Sequence, residues 1–149
     1  QRFAAHVSYY GPCIARFADI RATGAPVLML LGGRDAIIDV DRCRQVAGDL
    51  EAGGSAAQVV VFPEAYHQWD GRAAPPREVG RTIAGCRLQV GADAVVRDLD
   101  TGLPMTGRLA RQAILGLCAG SGGFVIGRDD AVRARSNAVL ADFLAPILR

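Results

Sequence analysis

The sequence contains no lysine. All 17 of its basic residues are arginine, set against 15 acidic residues for a net charge of +2. We read the missing lysine as a coding bias of the source genome. The arginines are scattered, and the charges nearly balance, so a nucleic-acid binder is not the expectation. Long apolar runs are missing too. The longest, Ala25 to Leu31, contains Pro26 and is far too short to span a membrane as a helix. No segment has the basic, apolar and small-residue order of a secretory signal. There is no CxxC and no cysteine–histidine pair at zinc-site spacing. The four cysteines, Cys13, Cys43, Cys86 and Cys118, leave two readings open. One is two disulfides, with three possible connectivities. The other is four reduced thiols packed as small hydrophobes. The compartment stays undetermined with them. Repeats and low-complexity tracts are lacking. The chain opens not on methionine but on Gln1, which leads straight into the apolar segment "RFAAHVSYY". That opening is expected of the back part of a longer protein.

What is present begins with a core. A chain of 149 residues is long enough for one domain with a real interior. Phe3 to Tyr10 is β-like and ends at Gly11-Pro12. Phe17 to Gly24 is a linker with room for one helical turn. "PVLMLL", Pro26 to Leu31, has no polar alternation, which suits a strand buried on both faces as in a parallel sheet. Asp39 or Asp41 can cap a helix running to about Ala52, in which Val40, Cys43, Val46, Ala47 and Leu50 fall at helical spacing. Ala57 to Phe62 is the next strand. Strand, connection, strand, helix, strand is the grammar of an α/β fold. Beyond it, "GRAAPPRE" is a loop. Ile83 to Val90, Ala94 to Leu99 and Gln112 to Cys118 are expected as short strands, with turns at Gly91–Asp93 and Asp100–Gly102. The last segment, from Asp129, is helical, with an apolar stripe of Val132, Val139, Leu140, Phe143 and Ile147.

Two residues stand out chemically. Asp35, in "LLGGRD", follows the end of one predicted parallel strand, and His67, in "FPEAYHQWD", follows the end of another. Ligands of α/β sheets bind at the carboxyl ends of strands. Neighbouring parallel strands lie about 5 Å apart, so their end loops can touch. An Asp–His hydrogen bond there would fix the imidazole tautomer and stabilise the imidazolium, which is two-thirds of a nucleophile–base–acid relay. The plainer reading of Asp35 is a turn cap, and of His67 a packed loop residue. His6, the other histidine, lies inside a predicted strand and suits a pleat position. A metal at His67 has no second histidine or cysteine at ligand spacing. Tyr66 and Trp69 are candidates for walling a substrate pocket or for packing the histidine loop. A nucleophile is harder to find. In α/β-hydrolases the order is Ser or Cys, then acid, then His, with the nucleophile on a G-x-S-x-G elbow. Ser8 lacks flanking glycines, Cys13 lacks the small-residue frame, and Ser121 in "CAGSGG" follows the histidine instead of preceding the acid.

The stretches "AAHVSYYGPC", "TGAPVLMLLGGRDAIIDVDRC" and "VVVFPEAYHQWDG" resemble the C-terminal half of a dienelactone hydrolase-family α/β-hydrolase. The Tyr10-Gly11 turn, the G-x-x-D turn of Gly32 to Asp35, the histidine loop and the Phe143-Leu144 helix end carry the resemblance. It is close over Phe3 to Gly71 and loose over the last helix. It implies Asp35 as the acid and His67 as the base, with Tyr10, Tyr66 and Trp69 as pocket candidates, and no metal or organic cofactor. The family's elbow precedes the first strand here and is absent from the chain. A longer segment than compact members carry separates histidine and last helix, and Cys86 and Cys118 within it can pair.

The expectation is a partial α/β-hydrolase domain. Residues 1–71 form the parallel core, 80–123 a β-rich insertion and 127–149 the C-terminal helix. Its expected activity is hydrolysis of a small-molecule ester or lactone, with a nucleophile outside this chain. No nucleic-acid or membrane partner is expected, and oligomeric state is left open. A peptidase or acyl-transferase of the same fold is the second expectation. A third, a non-catalytic binding module, expects Asp35 and His67 to lie apart.

Overall fold

A computed structural model describes residues 3–148. Gln1 and Arg2, at the head of the first β-like segment, and Arg149, the last residue assigned to the final helix, lie outside the described residues. The chain folds as an α/β structure around a parallel sheet of β1 (His6–Tyr9), β3 (Val27–Gly32) and β4 (Ala57–Phe62), in the order β1-β3-β4. β3 is the central strand, and every one of its residues is buried. Its side chains alternate between faces, as a strand requires. Val27, Met29 and Leu31 pack with Cys43, Val46 and Ala47 of α1 (Val40–Ala52). Leu28 and Leu30 pack with Phe62, Trp69 and Val132, the last from α3 (Asp130–Leu144). One helix on each face explains why "PVLMLL" shows no polar alternation.

Both helices start on capping aspartates. Asp39 accepts from the N–H groups of Asp41 and Arg42, and Asp129 from those of Ala131 and Val132. Each satisfies amide donors that the first turn of a helix leaves unpaired.

The remaining elements depart from expectation in several places. An unexpected strand, β2 (Ala15–Phe17), leads into the linker expected over Phe17 to Gly24, and that linker holds no helical turn. β2 runs parallel to β6 (Leu88–Val90), which pairs antiparallel with β7 (Val96–Asp98). These two strands are shorter than Ile83–Val90 and Ala94–Leu99. Between them, Asp93 anchors the turn by accepting from Val95 N–H and pairing with Arg97. Within the stretch expected to be a loop lies β5 (Arg77–Val79), paired antiparallel with β8 (Phe124–Ile126). The strand expected over Gln112 to Cys118 is instead the second half of a helix, α2 (Gly107–Cys118). Only Ile114 of α2 is buried. Its apolar run is too short for periodicity to separate buried strand from helix.

All four cysteines are oxidised, as Cys13–Cys43 and Cys86–Cys118, with Cα atoms 5.1 Å and 4.9 Å apart. Among the described residues no helix is long and apolar enough to cross a membrane.

Candidate active site

The parallel register brings three loops to one edge. β1, β3 and β4 end side by side, and their carboxyl ends release Tyr10, the Gly32–Asp35 turn and the Pro63–Asp70 loop. The acid and base loops are stitched together by main chain. Gly33 N–H donates to Phe62 O at 2.8 Å, and Arg34 N–H to Ala65 O at 3.0 Å. This crossing requires glycine. A Cβ on Gly32 would sit 2.6 Å from Ala65 O, and one on Gly33 2.7 Å from Pro63 Cα. Both are backbone atoms with no room to yield.

The result is a direct contact. His67 Nδ1 donates to Asp35 Oδ2 at 2.6 Å, a short N–H···O contact. The carboxylate is an acceptor, so the tautomer follows from it: the proton sits on Nδ1 and Nε2 is left as the basic nitrogen. Asp35's other oxygen accepts from Ile37 N–H at 3.0 Å. Its side chain is fully shielded from solvent, while that of His67 keeps 13% exposure. A buried carboxylate beside an imidazole that still reaches solvent is an arrangement that can serve as the acid–base pair of a relay.

Aromatic rings pack around the imidazole. Tyr10 lies edge-on, with ring centroids 4.8 Å apart, and Phe124 at 5.1 Å. Tyr10 adopts φ +42°, a left-handed backbone uncommon outside glycine. Its phenol donates to Asp70 Oδ1 at 3.0 Å, which ties the end of β1 to the far side of the histidine loop. Burial, first, and then the Asp70 carboxylate push the Tyr10 phenol up to about 12. The Tyr9 phenol is also raised, mainly by burial. Tyr66 is half-buried and carries the Arg34 guanidinium over its ring at 5.8 Å. Trp69 is fully buried among Tyr9, Tyr10 and Phe62, and its indole N–H donates to Ser136 Oγ at 3.1 Å. It therefore packs beneath the loop. His6 lies away from this group, in contact with Thr23 Oγ1 at 3.0 Å.

Asp70 and Phe124 were not singled out from sequence. Asp70 had a signal, lying three residues after the histidine in the same loop. Phe124 had none, because a pairing of β5 and β8 across more than forty residues leaves no local trace. Among the other candidates, Cys13 is bonded to Cys43 and offers no thiol. Ser8 lies within β1, and Ser121 lies in an exposed bend. No group of three or more His, Cys, Asp or Glu among the described residues is placed to hold a metal ion.

Compared with known proteins, residues 1–86 match the family model described as "Dienelactone hydrolase family". The match covers the whole parallel core and both loops of the Asp35–His67 pair. No curated protein and no solved structure matches the chain.

Proposed function

The chain belongs to the dienelactone hydrolase family of α/β-hydrolases, and from that premise we propose that it carries the acid and base of a triad hydrolysing a carboxylic ester or lactone. The observation that supports this reading is the 2.6 Å contact between His67 Nδ1 and the buried Asp35 carboxylate, made at the carboxyl edge of the parallel sheet. A non-catalytic module has no need of that contact. The nucleophile is a serine or cysteine outside residues 1–149. The described residues contain no free thiol, and Ser136 is buried and already donates to Arg133 O.

In this mechanism His67 Nε2 takes the proton of the nucleophile as it attacks the substrate carbonyl. The tetrahedral intermediate collapses to an acyl-enzyme, and His67 returns the proton to the departing alkoxide. With a lactone the alcohol stays tethered and the ring opens. Water then attacks the acyl-enzyme, with His67 again as base, and His67 passes that proton to the departing nucleophile, which releases the acid and restores the enzyme. Asp35 holds the imidazole in the required tautomer and stabilises its charged form throughout.

The test joins this chain to the coding sequence that precedes Gln1 in its gene. That sequence is expected to supply a G-x-S-x-G or G-x-C-x-G elbow, and the extended protein to turn over p-nitrophenyl acetate. His67→Ala and Asp35→Asn should each lower kcat by about a thousandfold or more. The 149-residue chain alone should show no turnover above its own His67→Ala variant. Absence of an elbow, or turnover indifferent to His67, overturns the reading.

A further inference from the structure

After Gly71 the chain departs from the base loop, and at β8 it returns. The N–H of His67 donates to Val125 O, and Gly127 N–H donates to His67 O, each at 3.1 Å. Both main-chain groups of the base are thus held by β8, whose opposite edge is held by β5. Two further bonds continue the seam, from Arg128 N–H to Ala73 O and from Asp129 N–H to Trp69 O. The side chain follows the same pattern. The Phe124 ring meets the imidazole at 5.1 Å and 84°, an edge-to-face arrangement. Gly80, at φ +56°, lies so close to that ring that a Cβ there would be 3.2 Å from it. Glycine at position 80 therefore leaves the space that the Phe124 ring needs.

A single hydrogen bond at Nδ1 does not by itself fix an imidazole. The last torsion of histidine is broad and roughly two-fold, so the ring can tilt or turn over and carry Nδ1 off the carboxylate. Something must resist that rotation.

We propose that Phe124, brought back to the base on β8, is a positioning residue. With Tyr10 it confines the His67 ring, so that Nδ1–H stays on Asp35 and Nε2 keeps a constant heading. Phe124 lies beyond the family-matched residues, so this support comes from a segment that the match does not cover. Its catalytic meaning rests on the triad reading, but its geometry does not.

The decisive variants are Phe124→Leu, which keeps apolar bulk and removes the ring, and Phe124→Tyr, which keeps the ring. In the 149-residue protein, nitrogen-15 NMR reads the His67 tautomer, and proton NMR reads exchange of the Nδ1 proton. Wild type and F124Y are expected to hold one tautomer and a slowly exchanging proton. In F124L exchange should accelerate by roughly threefold to tenfold, the range an aromatic pair supports, with the second tautomer appearing at an unchanged unfolding midpoint. A lowered midpoint in F124L with the His67 signals unmoved would mean packing alone and overturns the proposal. So would F124Y behaving like F124L. In the extended protein F124L should lower kcat by a similar factor with KM nearly constant. An extended protein without esterase activity, but with the NMR pattern intact, upholds the positioning role and counts only against the triad.

Discussion

Residues up to Gly71 and residues from Arg72 to Gly127 hold their shapes by different means. In the first stretch β3 is buried on both faces, and the two core clusters draw every buried member but Val132 from this stretch. In the second, the buried apolar side chains are Cys86, Leu88, Ile114 and Ile126. Its four strands have three residues each, and α2 leaves Leu109 and Leu117 81% and 74% exposed. Turn chemistry and a disulfide do the holding instead. Asp98 Oδ2 accepts from both the N–H and the hydroxyl of Thr101, and Cys86–Cys118 closes the segment. Dense packing sets where the Asp35 and His67 loops emerge. The thinly packed segment contributes locally, by putting a strand and one ring against His67. A rigid scaffold that places loops, with function finished at the loops, is the common division in such folds.

Core truncation should separate the two regions most sharply. Leu30→Ala removes a fully buried side chain from the middle of β3 and is expected to cost about 2–5 kcal/mol of stability. Leu109→Ala should stay within about 0.5 kcal/mol. Urea unfolding monitored by circular dichroism measures both, and similar losses would erase the distinction. The disulfides give a finer contrast, because they close loops of nearly equal sequence separation, 30 and 32. Chain entropy alone assigns each about 3–4 kcal/mol. Cys43 lies in the core against β3, so replacing Cys13 and Cys43 by alanine should lower the global unfolding midpoint. Replacing Cys86 and Cys118 should act chiefly as local opening. Hydrogen exchange is expected to accelerate across 86–118 while the amides of β3 and β4 stay protected. Equal loss of protection in β3 and β4 would make the two regions one cooperative unit.

The same contrast governs what could be read from sequence. β3, β4, α1 and α3 declare themselves through continuous apolar runs, helical spacing and the capping aspartates Asp39 and Asp129. Asp35 and His67 declare themselves because a parallel sheet places successive strand ends together. The family resemblance suggests the roles proposed for them. Where short elements pair at long range, the signal vanishes. β2 was hidden in "CIARF", and β5 and β8 in glycine- and proline-rich stretches. The second half of α2 reads as a strand because Ala113-Ile114-Leu115 is apolar without a polar partner at period two, and the helix start carries no cap signal; Thr106 makes no side-chain capping bond. Tertiary support, not local preference, shapes that part of the chain. Asp70 and Phe124 are functional candidates only because of that support.

The smallest effect concerns Tyr10, which spans the seam between β1 and the base loop through Asp70. Its phenol ionises near 12 in the folded protein, against an ordinary value of 10.0. Below pH 10 the phenol keeps its proton in both folded and unfolded chains, and the stabilisation is fully present. Above pH 10 the unfolded chain releases the proton first, so stability falls as pH rises towards 12. Tyr9 shifts in the same direction, so Tyr10→Phe should flatten the decline and not abolish it. Thermal midpoints at pH 9 and pH 11, measured for wild type and Tyr10→Phe, give the comparison, and phenolate absorbance at 295 nm reports which tyrosines have ionised. If the two proteins decline in parallel, the Tyr10–Asp70 bond is not formed in solution. The base loop would then be secured by β8 and by its bonds to the acid loop, with no contribution from the end of β1.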